Sequence, residues 1–309
     1  MKEERRMQKR ERWEAPLGDV FVHLSVLLIS YLLASLALPY LISMIARGGM
    51  LKVNWQGRVI PAISGIVFPL VLSFTMLPYL WTREKGGVLV FVLAIQGAAV
   101  VGLLDDVLGK NTPRGLSQHL RYFLFEKKLS TGLVKAIVVS LLALWVVTLF
   151  DLSPRQFGES SPLFLGELFL NWLLLVLTVN FVNLLDLRPG RALKGTAFLL
   201  LWPALMQAPG QGLLVSTLGI MLAYAPYDLP GKVMLGDTGS NVLGMIAGLL
   251  LLGTSFWSRM VFLVFFLFIH VVAERSSLSV WIDQTPALRK IDHWGRGREL
   301  VTKGLDEDD

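Results

Sequence analysis

The chain contains no cysteine, which excludes disulfides and thiolate metal sites. Charge is scarce as well: Asp, Glu, Lys and Arg make up 17% of the 309 residues, whereas 54% are hydrophobic. The mean hydropathy is +0.59, and a soluble domain of this length does not carry such a composition. Neither an internal repeat of solenoid period nor a low-complexity block is present, so repeat and linker-rich architectures are excluded. A cleavable signal peptide is not expected, because the apolar run from Val20 is far longer than a signal core and no small-residue cleavage site follows it.

What the chain has instead is long uncharged runs. Val20 to Ala46, Val59 to Trp81, Val88 to Leu104 and Thr238 to Ser258 contain no Asp, Glu, Lys or Arg, and each is close to the ~20 residues that a spanning helix needs. Five further runs, apolar but not all free of charge, lie at about 132–150, 164–185, 194–208, 211–226 and 259–273, with Pro209-Gly210 dividing two of them. The expected fold class is therefore all-α, a polytopic membrane bundle of about nine spans. Around it the expected organisation is a charged amino-terminal tail (1–19), a transmembrane domain (20–273) and a polar carboxy-terminal tail (274–309).

A chain that crosses at every run emerges on the same face after each odd-numbered one. Asp105 and Asp106 follow the third run, Asp186 the fifth and Asp237 the seventh, so acids far apart in sequence are expected on one membrane face. With that face inside, it collects 18 Lys and Arg against 10 opposite, six of these in residues 1–19. The short loops favour acids on the cytoplasmic side, and the tail opposes it.

The polar segments at these helix ends each admit two readings. Asp105-Asp106 is either a solvated helix end or a cation or general-base site, since juxtamembrane carboxylates are costly without a partner. Gly236-Asp237-Thr238-Gly239-Ser240-Asn241 opens a spanning run with free N–H groups. It is either ordinary capping or a phosphate site in which a divalent cation reconciles Asp237 with phosphate. Asn180, Asn183 and Asp186 recur every third residue and share a helical face, which suits interhelical hydrogen bonds or a polar cavity. Arg188, Arg191 and Lys194 follow, as a diphosphate clamp or as inside-positive charge.

Taken together, these segments resemble the polyprenyl-phosphate N-acetylhexosamine-1-phosphate transferase superfamily, which includes the phospho-MurNAc-pentapeptide and polyprenyl-phosphate GlcNAc-1-phosphate transferases. The resemblance runs from about residue 47 to 257 and rests on ordered motifs at helix ends. The family's Asp-Asp matches Asp105-Asp106, its Asn-x-x-Asn-x-x-Asp matches Asn180, Asn183 and Asp186, and its Gly-Asp-x-Gly-Ser matches Gly236 to Ser240. More weakly, Gly57 to Gly65, with Arg58, resembles the family's basic-then-Pro-Thr-x-Gly-Gly segment. Two departures stand out. Asp186 is followed by Leu187-Arg188-Pro189-Gly190 where the family has a second acid, and the tail around Asp292-His293 lacks the family's His-rich loop.

The resemblance implies a multi-pass protein of the bacterial plasma membrane. It would transfer a sugar-1-phosphate from a UDP-sugar to a polyprenyl phosphate, releasing UMP, for a cell-envelope polymer. It implies catalytic roles for Asp105, Asp106 and Asp186, and Mg²⁺ (or Mn²⁺) ligation by Asp237 with Asp186. Substrate contacts are implied at Asn180, Asn183, Arg188, Arg191, Lys194, Gly239, Ser240, Arg58 and His119. The expected partners are the bilayer, the polyprenyl phosphate and the UDP-sugar, without nucleic acid; a homodimer is left open. Two alternatives remain at this point: a catalytically impaired member that binds a lipid phosphate or a partner, and a secondary transporter, which would need acids in mid-span.

Overall fold

The computed structural model describes residues 2–81, 85–109, 116–149, 163–275 and 277–296. The first helix, α1 (Lys2–Arg47), leads into a two-stranded antiparallel hairpin, β1 (Leu51–Val53) and β2 (Val59–Pro61), in which Val53 pairs with Val59. Then come α2 (Val67–Met76), with 3₁₀ turns on either side, α3 (Lys85–Leu108), α4 (Leu116–Glu126) and α5 (Thr131–Leu149). The order continues with α6 (Phe164–Leu185), α7 (Arg191–Leu205), α8 (Gln211–Asp228), α9 (Gly236–Leu252) and α10 (Phe256–Arg275), and ends with the short α11 (Leu278–Gln284) and α12 (Pro286–His293).

The fold is thus an all-α membrane bundle. Among the described residues five helices are long and apolar enough to cross a bilayer, and Ser64–Leu80 and Gly236–Leu252 are shorter apolar helices. The sixth helix has the bounds expected of the 164–185 run. The run from Val59 differs, because it begins as a strand and becomes helical only at Ser64. Two β-branched residues followed by Pro61 favour extended backbone there, and the first strand supplies the partner.

Helix α9 sits at the centre. Every residue from Thr238 to Leu252 is buried, and α3, α6 and α7 pack around it. Its small residues allow neighbouring backbones to approach closely, which is how helices associate where lipid removes most of the hydrophobic drive. Large apolar side chains such as Leu36, Tyr40, Phe74, Val261 and Val264 stay exposed on the outside, as a lipid-facing surface requires.

Several polar side chains inside the bundle are paired in clusters. Ser216 joins Ser30 at 2.8 Å and Thr75 at 2.7 Å, tying α8 to α1 and α2. Arg259 on α10 donates to Glu167 at 3.0 Å and to Asn171 at 2.6 Å on α6. Glu167 lies in the first turn of α6, so this pair stands at the end of the helix opposite Asp186. An intramembrane charge without such a partner is expensive.

Candidate active site

The site is assembled where the last turn of α3, the end of α6 and the first turn of α9 meet. Asp106 is almost fully buried and acts as a cap for α9 from another helix: the Thr238 backbone N–H and Oγ1 both donate to its Oδ2 at 2.9 Å. The first N–H groups of a helix have no internal partner, so an acid placed there satisfies them and meets the positive end of the helix dipole. Lys52 of β1 closes the other oxygen of Asp106 at 2.9 Å. Lys52 itself is 47% exposed and stands at the mouth of the site.

Asp105 and Asp237 face each other across Lys135, whose Nζ lies 2.7 Å from Asp105 Oδ2 and 3.0 Å from Asp237 Oδ2. The Asp186 carboxyl lies beside the Gly236 backbone N–H. Burial, and then the charges of Asp228, Asp237 and Asp106, push its carboxyl well above the ordinary range. Ser240 Oγ donates to Asn183 Oδ1 at 2.9 Å, so the face bearing Asn183 and Asp186 does turn toward α9. All four acids read from the sequence therefore converge on one helix N-terminus.

Close backbone approach makes this possible. A Cβ on Gly102 would lie 2.6 Å from the Asp237 carbonyl carbon and 2.7 Å from Thr238 Cα, and one on Gly65 would lie 2.6 Å from Leu235 O. Gly102→Ala is expected to destabilise the protein by about 1–3 kcal/mol because the obstacle is backbone and cannot rotate away. Gly97→Ala, which would meet only the flexible Leu142 side chain, serves as the control. Thermal unfolding in detergent separates the two, and equal midpoints would refute the packing argument.

The remaining expected site residues are placed unevenly. Gly239 packs against Gly65 inside the site. Asn180 and Arg58 are exposed. His119 on α4 contacts Ser130 Oγ at 2.8 Å; burial holds its imidazole below the ordinary value, with Asp105 pulling the other way. The three cations after Asp186 are engaged by the carboxy-terminal helices. Arg188 pairs with Asp283 at 3.0 Å, Arg191 forms a two-pronged pair with Asp292 at 2.8 Å on each prong, and Lys194 donates to the carbonyls of Ile291 and Asp292.

Beside Asp186 opens a cleft with an empty volume of about 330 Å³, part of it open to solvent. Trp55, Asp186, Arg188, Pro189 and Asp228 are among its walls, and the Arg188 guanidinium lies over the Trp55 ring at 5.5 Å. Asp228 was not singled out from the sequence, yet it follows the seventh run and obeys the same parity as the other acids. It accepts the Gly190 N–H at 2.9 Å. Lys135 was also missed; its signal was a lone charge near the start of an otherwise apolar run, which is a functional marker in itself.

Burial alone would raise the Asp292 carboxyl, but the Arg191 hydrogen bond and the charges of Arg296, Arg191 and Lys194 hold it below the ordinary range. Its stabilising contribution is then complete above about pH 4, the unfolded value, and is lost as pH falls through the lower folded value. Asp292→Asn is expected to unfold at lower temperature than the native protein at pH 7, with the gap narrowing below about pH 4. A gap independent of pH would contradict this assignment.

A family model described as glycosyl transferase family 4 matches residues 88–255. That is more than half of the chain, and it includes all four acids and Lys135 but neither the β-hairpin nor α11 and α12. No curated protein matched. The segment that matches is the one that builds α9 and its ring of acids, and the chain accordingly belongs to glycosyl transferase family 4, as a membrane-embedded transferase.

Proposed function

We propose that the protein transfers a HexNAc-1-phosphate from a UDP-sugar to a polyprenyl phosphate at the cytoplasmic face of a bacterial plasma membrane, for synthesis of a cell-envelope polymer. The observation that carries this is the convergence of Asp105, Asp106, Asp186 and Asp237 with Lys135 at the N-terminus of α9, next to an open cleft. An oxygen of the lipid phosphate would attack the β-phosphorus of the donor. The bond from that phosphorus to the oxygen bridging the α-phosphate would break, and UMP would leave with it. Such a reaction asks a protein mainly for positioning and for charge compensation.

The residues divide this work by location. The cleft beside Trp55 and Asp186 would take the nucleotide, and exposed Lys52 would meet phosphate oxygens at the mouth. Asp105, held anionic by Lys135, would orient the acceptor phosphate through that lysine. Among the described residues no three acids or histidines form a ready cage for a metal ion. The donor set nevertheless fits Mg²⁺ in its usual phosphate-assisted form, since one or two carboxylates plus waters and phosphate oxygens suffice. Two carboxylates, Asp237 and Asp105, already flank one cationic group here. Asp237 would be the principal ligand, with Asp186 or Asp105 second, and the bound ion would neutralise charge on the transferred phosphoryl group.

The test is exchange of labelled UMP into a UDP-HexNAc pool by the purified protein with undecaprenyl phosphate and Mg²⁺. Exchange supports the reaction; none with any common UDP-sugar, in Mg²⁺ or Mn²⁺, overturns it. The impaired, binding-only reading keeps one observation in its favour, Leu187-Arg188 where a second acid is expected. It would be preferred if the lipid phosphate bound without exchange. A transporter is disfavoured because the acids sit at helix ends rather than in mid-span.

A further inference from the structure

The segment that leaves the last long helix does not trail away from the site. Helices α11 and α12 fold back onto the loop between α6 and α7, and each contributes one carboxylate. Asp283 holds Arg188 at 3.0 and 3.1 Å. Asp292, only 4% exposed, holds the equally buried Arg191 through both guanidinium prongs. Arg296 then donates to Asp292 and to the Pro189 carbonyl at 3.1 Å. The loop in question, Asp186 to Gly190, forms a wall of the cleft.

Connecting loops are the mobile part of most folds, and this one carries Pro189 and Gly190 at its end. Two-pronged arginine–carboxylate pairs fix orientation as well as distance. Asp283 also decides where Arg188 lies over Trp55, and so joins the hairpin, the loop and the tail into one unit. We infer that α11 and α12 form a brace that fixes the donor-side loop, with Asp283 and Asp292 as positioning residues. Both helices lie outside the stretch that matches the family. The brace acts on binding by ordering the cleft beforehand, which lowers the cost of fixing a ligand there; its link to the nucleotide rests on the proposed function.

The experiment compares the full-length protein with Asp283→Ala, Asp292→Asn and the double variant. It measures hydrogen exchange in peptides covering 186–191 and binding of UMP in the presence of Mg²⁺. Faster exchange confined to this loop and the hairpin, with UMP affinity about tenfold weaker and restored by Asp283→Glu, is expected. Asp283 is partly exposed, so its variants remain informative if Asp292→Asn fails to fold. Unchanged exchange overturns the brace. Faster exchange with unchanged UMP affinity overturns its role in donor binding. If the unmodified protein binds no UMP, the donor reading fails while the exchange data still decide the brace. Where turnover is measured, a raised KM for the donor at constant kcat is expected, and a fall in kcat alone counts against positioning.

Discussion

Replacing Asp237 by asparagine is expected to lower UMP exchange by about 10³-fold while leaving the fold intact. The partly buried side chain lies in the first turn of α9, beside the Thr238 N–H that Asp106 caps and within 3.0 Å of Lys135. Asparagine keeps the shape and loses the charge, so the bundle keeps its packing. Lost with the charge is the anionic oxygen that a hard cation would need, in a partly buried place where a fixed charge counts for more than in solution. The expected signature is a fall in kcat with a thermal midpoint close to that of the native protein. Retention of more than about a tenth of the activity would remove Asp237 from the reacting centre.

Lys135→Met is expected to cost about 10²-fold or more. The ammonium is within 3.0 Å of both Asp105 and Asp237 and only 17% exposed. Methionine fills the same volume but leaves two facing carboxylates without the cation that holds them at a fixed separation, and like charges at that distance repel. Lys135→Arg restores the charge but brings a planar fork in place of a point charge, so recovery is expected to be partial. Measuring kcat and KM for each variant at several Mg²⁺ concentrations distinguishes two roles. If added Mg²⁺ rescues Lys135→Met, the lysine serves to place the acids; if it does not, the ammonium itself contributes to transfer. Activity equal to that of the native protein would remove it from both.

Much of this arrangement was legible in the sequence. The long apolar runs mark candidate spans because the bilayer demands that backbone groups be satisfied inside each helix; five helices among the described residues are long enough to cross, and α6 has the bounds expected of it. The parity of the runs put Asp105, Asp106, Asp186 and Asp237 on one face, and the structure brings all four to one helix end. Less legible was the run from Val59. Its absence of charge reads as a span, while its β-branched start pairs with Leu51–Val53, a partner that hydropathy cannot supply. The cations Arg188, Arg191 and Lys194 read equally well as a clamp or as topological charge. Their partners Asp283 and Asp292 lie some ninety to a hundred residues away, at no period that sequence inspection could connect.

By itself, then, the sequence determined that this chain is a membrane bundle and gave the expectation that its acids lie together, because both follow from local hydropathy and from counting apolar runs. Only the tertiary structure decided who touches whom on that face: Lys135 between two aspartates, Asp106 over the end of α9, the tail locked onto the loop after Asp186. Such pairings depend on how helices rotate and how closely their backbones approach, at Gly102 and Gly65 above all, and no local pattern in the chain encodes them.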